Sequence, residues 1–418
     1  VNSTGDTQLS TQTNVWSLGY LAADDLLALH QAFPERYPYL LESSASSLEG
    51  NNQDLLLSFP GEQLNLYAQR GLLIPPELGE TQTDNFLSVL DQWWNKHRIS
   101  QVQQTHKFCG GWFIYLSYEL AGQIEPKLRL SMPIEGDQLI AQAVRVPAAI
   151  IRESRTGESH FVCEAAAEGE SKLQQLRSDL QFIRIHSSVD YNIELSPFEE
   201  EDPLKFISVV KQTQSHIAAG DIYQANLSRG WQAHGGKVSP AGLYQRLKAA
   251  NPSPYAGLVR LEPEHYVISS SPERLIEVRD GWVSTRPIAG TRPRHEDAQI
   301  DQSLMAELHA NPKERAEHIM LLDLERNDLG RICVAGTVHV NEYMSIESYR
   351  HVHHIVSNVK GQQRPEVTPG QTIAAVFPGG TITGCPKVRC MEIIASLEPN
   401  ARGAYTGSMG YLNRDGSM

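Results

Sequence analysis

The stretch Asp202-Pro-Leu-Lys-Phe-Ile-Ser-Val-Val-Lys-Gln-Thr-Gln-Ser-His-Ile-Ala-Ala-Gly-Asp-Ile-Tyr-Gln-Ala-Asn-Leu-Ser228 changes its period part-way. Asp202 is a helix N-cap and Pro203 suits the first turn. Phe206, Val209, Val210 and Ile217 fall on one helical face, and Gly220 ends the helix. Tyr223, Ala225 and Leu227 then alternate with polar residues, as in a strand. Downstream the start signal recurs at Ser239-Pro240, near Pro312, at Thr368-Pro369 and at Pro386. Strands are predicted between these helices over 255–261, 266–270 and 337–343. Helices and antiparallel-type strands mix without βαβ regularity, so the class is α+β.

Upstream, from Leu18 to Ile185, the pattern is mixed strands and short helices. Gly110 and Gly111 precede Trp112-Phe-Ile-Tyr-Leu116, a strand leaving a tight turn. Residues 143–152 and 158–164 read as two strands around Thr156-Gly157. Leu173, Leu176, Leu180 and Ile183 have helical spacing over 169–185. A polar, acidic linker over 194–202 separates an N-terminal region, 1–190, from a second region, 198–418.

The 418 residues are 40% hydrophobic and 20% charged, enough for one large core or two ordinary ones. A net charge of -13 disfavours nucleic acid or an anionic membrane as partner. An anionic substrate would have to be met locally, by arginines, amides or a metal. No apolar run approaches the roughly 18 residues of a membrane helix. The first residues, from Val1 to Gln8, lack the basic start and apolar core of a signal peptide. Five scattered cysteines form no paired framework and read as free thiols. Together these predict a soluble cytoplasmic enzyme.

Four segments in order resemble the anthranilate synthase family of chorismate-utilising enzymes. They are Gly220-Asp-Ile-Tyr-Gln-Ala-Asn-Leu-Ser228, Thr285-Arg-Pro-Ile-Ala-Gly-Thr291, the run from Arg315 to Arg331, and Phe377-Pro-Gly-Gly-Thr-Ile-Thr-Gly-Cys-Pro-Lys387. The resemblance implies two packed antiparallel β-sheets with helices outside and the active site between them. It also implies chorismate as substrate and Mg²⁺ as cofactor.

Glu314 and Glu317 share a helix face. A solvated acidic stripe pairing with Lys313 is the ordinary reading of that spacing. The resemblance assigns Glu317 to the metal and makes Glu314 a second ligand candidate. Residues 323–331 read as a helix end tied down by internal salt bridges. Gln224 stands where water-adding relatives resemble one another in carrying a lysine base. An amide has no useful basicity, which favours ammonia as nucleophile over water. His354 is a strand histidine that the resemblance puts beside the reacting ring. Thr381 and Thr383 sit in a Gly-rich turn before a helix, where backbone amides can meet an anion. By resemblance Thr381 and Tyr405 touch substrate, with Thr291 in the same set; Lys387 either steers the anion or is a solvated helix lysine.

Within the family, residues 377–384 resemble the aminodeoxychorismate synthases, which aminate C4 for para-aminobenzoate and folate. Ala289 stands where many of those carry a lysine, and so resembles the anthranilate synthases. Leu41, Glu42 and Ser43, with Asn251-Pro-Ser-Pro-Tyr255, are similar to a tryptophan pocket of the latter. A noncatalytic chorismate- or tryptophan-binding relative is the alternative of another class. The family continues beyond the position of Met418 with further substrate and Mg²⁺ groups, so the second region is expected to lack its C-terminal end. No Gly-x-Cys-x-Gly glutaminase turn is present, which implies ammonia from a partner glutamine amidotransferase subunit.

Overall fold

Asp202 caps its helix as expected: the carboxylate accepts the Leu204 N–H and the helix runs Pro203–Ala218. Gly220, at φ 80°, turns the chain out of it. The apolar face is another matter. Thr213 is the buried residue of this helix, while Ile217 stays 41% exposed. The computed structural model describes residues 13–43, 53–99, 106–132, 136–186 and 189–418. The sequence reading of the first dozen residues falls outside them.

Two antiparallel sheets form the larger core. A seven-stranded sheet runs in the order Asn14–Tyr20, Glu158–Cys163, Ala148–Glu153, Gln53–Ser58, Tyr39–Glu42, Tyr255–Glu262, His265–Ser271. A five-stranded sheet runs Ser408–Asn413, Gly111–Leu116, Leu139–Val146, Gln63–Tyr67, Gly71–Leu73. Tyr39, Leu57 and Val162 of the first meet Phe113, Val144 and Val146 of the second in one buried cluster. The Tyr39 and Phe113 rings stack with centroids 3.8 Å apart. Strands from both halves of the chain enter both sheets.

The expected single strand over 143–152 is two. Leu139–Val146 and Ala148–Glu153 belong to different sheets, parted at Pro147, which cannot donate to a ladder. The expected strand over 223–227 shrinks to Gln224–Ala225, paired with Gly384–Cys385. The 169–185 helix runs Ala166–His186, with the four predicted apolar residues buried. The 194–202 linker holds short strands at Ile193–Leu195 and Glu199–Glu200.

A third sheet, which the sequence did not reveal, positions the site. Its order is Arg274–Arg279, Trp282–Arg286, Val352–Gln362, Ile288–Pro293, and His339–Ser348 also pairs with Val352–Gln362. The helix Pro312–Gly330 lies on it, with Leu322 and Leu329 packed against Val283 and Val359. Among the described residues no helix is long and apolar enough to cross a membrane.

Candidate active site

Asn311 caps the helix Pro312–Gly330 by accepting the N–H groups of Lys313 and Glu314. This sets Glu314 and Glu317 in its first turns. Glu314 lies over Gly290, where a Cβ would sit 3.1 Å from its Oε2, and Gly290 has φ 80°. Glycine suits the conformation there, and a Cβ would crowd the Glu314 carboxyl. Glu314 also pairs with Arg292, 3.3 Å away. Glu317 Oε1 instead accepts from Gln224 Nε2 at 2.9 Å. The structure thus brings together two residues that the sequence singled out for separate reasons, 93 positions apart. Gln224 Oε1 is buried with no hydrogen-bond partner.

Gln224 is held by the short ladder to Gly384–Cys385. A Cβ at Gly384, φ 142°, would sit 2.2 Å from the Gln224 carbonyl oxygen. The Gly-rich turn folds on itself, with Thr383 Oγ1 donating to Gly379 O at 2.9 Å. Thr381 Oγ1 is buried on the side of the Glu273 carboxyl.

On the third sheet Thr291 and His354 are cross-strand partners, with Thr291 Oγ1 2.9 Å from His354 Nδ1. Burial holds the His354 pKa below the usual imidazole value, opposed by the Gly290 backbone and Glu347. Neutral imidazole is favoured there. Ala289 is buried opposite Ile355. Tyr405 is 51% exposed, with Asn226 Nδ2 3.4 Å from its hydroxyl. Lys387 points inward: its Nζ donates to Asp328 Oδ2 and to Val376 O at 3.1 Å. The helix end over 323–331 is consequently held from outside as well. Its internal pair, Asp323 with Arg326, is at 3.9 Å, and both side chains are mostly exposed.

Leu41, Glu42 and Ser43 lie at the end of a strand in the seven-stranded sheet. Glu42 is buried and accepts from Tyr244 Oη at 2.6 Å and Lys248 Nζ at 3.0 Å. The Ser43 N–H donates to Asp54, which Arg152 pairs at 2.6 Å.

Two acids were missed. Glu273 lies in the turn between His265–Ser271 and Arg274–Arg279. The residue is half-buried, but its carboxyl is enclosed. Burial raises its pKa to about 8, with Glu325 adding to the rise and the Thr381 hydroxyl and Ile288 backbone opposing it. Glu325 is itself raised to about 7 by burial, with Asp328 adding and Lys387 opposing. Nothing in the Ser-Pro-Glu-Arg sequence around Glu273 marks a sunken carboxyl. Glu325 was findable: it shares a helical stripe with His318, Leu321, Leu322 and Leu329, all buried.

Residues 59–418 match the family described as chorismate binding enzyme. Anthranilate synthase component 1 of Synechocystis sp. is 35% identical over 414 residues, which is 91% of this chain and 80% of that protein. The chain belongs to the chorismate binding enzyme family. Aminodeoxychorismate synthase component 1 of Bacillus subtilis is 50% identical over 217 residues, 52% of this chain and 45% of that protein. An anthranilate synthase component I-like protein of Synechocystis sp. is equally similar over 218 residues, again 45% of its length. For these two relatives the match spans just under half of the relative. The solved anthranilate synthase component I of Streptococcus pneumoniae superposes with a TM-score of 0.75 at 29% identity, over 89% of this chain and 83% of that one. The α+β fold with several antiparallel sheets is the one expected, and the third sheet is the addition.

Members of the family typically depend on Mg²⁺. Among the described residues no group of three or more His, Cys, Asp or Glu side chains is arranged for a metal. Mg²⁺ commonly takes only one or two protein carboxylates and completes its shell with water and substrate oxygens. Glu317 and Glu314 are donors of that kind and number, so the residues fit the ion.

Proposed function

We propose that this protein binds chorismate beside the helix Pro312–Gly330 and aminates its ring with ammonia, as an aminodeoxychorismate synthase component I. The observation that carries the reading is the Gln224–Glu317 contact, which sets a non-basic amide beside the metal-ligand candidate; Glu273, whose pKa burial raises to about 8, is the acid candidate. An amination that expels a ring hydroxyl needs an acid for the leaving oxygen and a non-basic site for the nucleophile.

Glu273 gives its proton to the departing C4 hydroxyl, which leaves as water. The C4–O bond breaks and a C–N bond forms. The surplus proton on the new amine returns to the Glu273 carboxylate. Gln224 Oε1, lacking a partner, accepts an N–H of ammonia and orients its lone pair. Thr381, Thr291 and Tyr405 are hydroxyl donors for the substrate. Mg²⁺, held by Glu317 and Glu314, would supply positive charge for the substrate carboxylate. Ammonia comes from a glutamine amidotransferase partner. Similarity to the Bacillus subtilis enzyme and the 377–384 segment favour C4.

Ala289 favours a second reading, amination at C2 with pyruvate loss to give anthranilate. A methyl group offers no covalent route through that position. The full-length protein should be incubated with chorismate, Mg²⁺ and ammonium, and the products separated with mass detection. A product retaining the enolpyruvyl group supports the first reading. Anthranilate with equal pyruvate supports the second, and absence of any aminated product refutes both. Glutamine should replace ammonium only after a glutaminase subunit is added.

A further inference from the structure

Arg402 lies between the helix Lys387–Leu397 and the strand Ser408–Asn413, and its side chain is 2% exposed. Glu398 balances its charge inside the protein: Nε donates to Oε2 at 2.8 Å and Nη2 to Oε1 at 2.7 Å. A buried pair of this kind is weak evidence for stability, since apolar residues of similar volume often hold a fold as well or better. The other contacts of the guanidinium lead towards the site. Nη2 also donates to the Asn226 carbonyl at 2.6 Å. Nη1 reaches Thr406 Oγ1 at 3.4 Å and the Ile382 carbonyl at 3.5 Å. The guanidinium carbon lies 4.8 Å from the centre of the Tyr118 ring and 5.8 Å from that of Tyr405. Glu398 Oε1 accepts the Ser228 N–H at 2.7 Å as well.

These partners stand directly behind the substrate candidates. Asn226 is two residues from Gln224, and Ile382 lies between Thr381 and Thr383. The Asn226 side chain donates to the Ile382 carbonyl at 3.1 Å and lies 3.4 Å from the Tyr405 hydroxyl. Its backbone N–H donates to the Thr383 carbonyl at 2.8 Å. Gln224, Thr381 and Tyr405, which come from three separate segments, therefore share one support. Arg402 is itself anchored, because its N–H donates to Glu119 Oε1 at 2.7 Å and the Gly403 N–H to Glu119 Oε2 at 3.1 Å. Glu119 is 3% exposed. A lysine could neutralise Glu398, but it lacks the planar fork that meets Glu398 and the Asn226 carbonyl together.

We propose that Arg402, balanced by Glu398, is a positioning residue that holds the Thr381 turn and Tyr405 against the strand Gln224–Ala225 as one wall of the chorismate site. The role rests on the proposed function, in which those residues meet substrate and ammonia. It explains why the donors that Glu398 leaves over are spent on the backbone of two site segments.

The test uses the full-length protein with Mg²⁺, and follows amide exchange by mass spectrometry and chorismate binding by calorimetry. Arg402→Lys keeps a charge for Glu398. Arg402→Gln combined with Glu398→Gln removes both charges, so neither is stranded should the lysine variant fail to fold. In both we expect exchange over 224–228 and 379–385 to quicken by about tenfold, while the strand Ala148–Glu153 keeps its wild-type rate. The Kd for chorismate should rise by about tenfold or more, because a misplaced wall no longer fits the substrate. A merely structural role would quicken exchange in the core strand too and leave the Kd of the folded fraction unchanged. Wild-type exchange over both segments overturns the proposal, as does a Kd within twofold of wild type. If wild-type protein does not aminate chorismate, the functional reading fails, while the exchange rates still decide whether Arg402 holds the wall.

Discussion

Lys387 offers the sharpest test of how the substrate turn is held. A lysine in a Gly-rich anion turn suggests a hand reaching for substrate, but here its ammonium faces Asp328 and the Val376 carbonyl. Both members of the pair are buried, with side chains 11% and 10% exposed. Lys387→Met should therefore strand a carboxylate inside the protein, at a cost of about 3–5 kcal/mol. Asp328→Asn alone strands the ammonium at a similar cost. The double change removes both charges and should recover most of the loss, giving a coupling of at least about 2 kcal/mol. Urea unfolding followed by tryptophan fluorescence measures the three variants, and KM for chorismate is read on the double variant. We expect that KM to stay within about threefold of wild type, since a charge-assisted contact to substrate would cost more, about 1.5–3 kcal/mol. Two results would refute the reasoning: a Lys387→Met protein within about 0.5 kcal/mol of wild type, the range of ordinary surface changes, or additive losses in the double variant.

Other expectations follow from the same geometry. Glu317→Gln should keep its circular dichroism spectrum and lose Mg²⁺-supported turnover by about a hundredfold or more, because an amide is a poor Mg²⁺ ligand; Glu314→Gln, whose side chain already pairs with Arg292, should lose less. Gly384→Ala should open the two-residue ladder and release Gln224, since its Cβ would sit 2.2 Å from the Gln224 carbonyl oxygen, and retained turnover would remove that ladder from the site. Stability should be greatest between about pH 4.5 and 6.5. Glu273 and Glu325 have folded pKa values of about 8 and about 7, above the usual 4.5, so the folded state binds more protons and stability is lost as pH rises through them. His30 and His318 are held down to about 4 by burial, so their contribution is lost as pH falls below 6.5. Between pH 6.5 and 8 the two acids should remove about 2–3 kcal/mol, and equal urea midpoints at pH 6 and pH 8 would sink the assignment.

What the sequence disclosed was mostly what local chemistry fixes. Helix starts at Asp202, at Ser239, near Pro312 and at Thr368 are local decisions about unsatisfied backbone N–H groups, and the corresponding helices start there, the third capped by Asn311. The division of residues 143–152 between two sheets turns on Pro147, a visible residue whose consequence depends on which strands lie beside it. The third sheet was illegible for a similar reason: its order joins strands from both sides of the helices Ala298–Ala310 and Pro312–Gly330. The site shows the same limit. Motif reading named Gln224 and Glu317 but could not join them, because their 2.9 Å contact depends on Gly384 admitting the Gln224 backbone. It missed Glu273, because protonation at neutral pH is a property of an enclosure and not of a residue type. That enclosure is assembled from a turn after one strand, the backbone of a second, and the Gly-rich turn before a distant helix. The charge state of the acid is therefore a tertiary property.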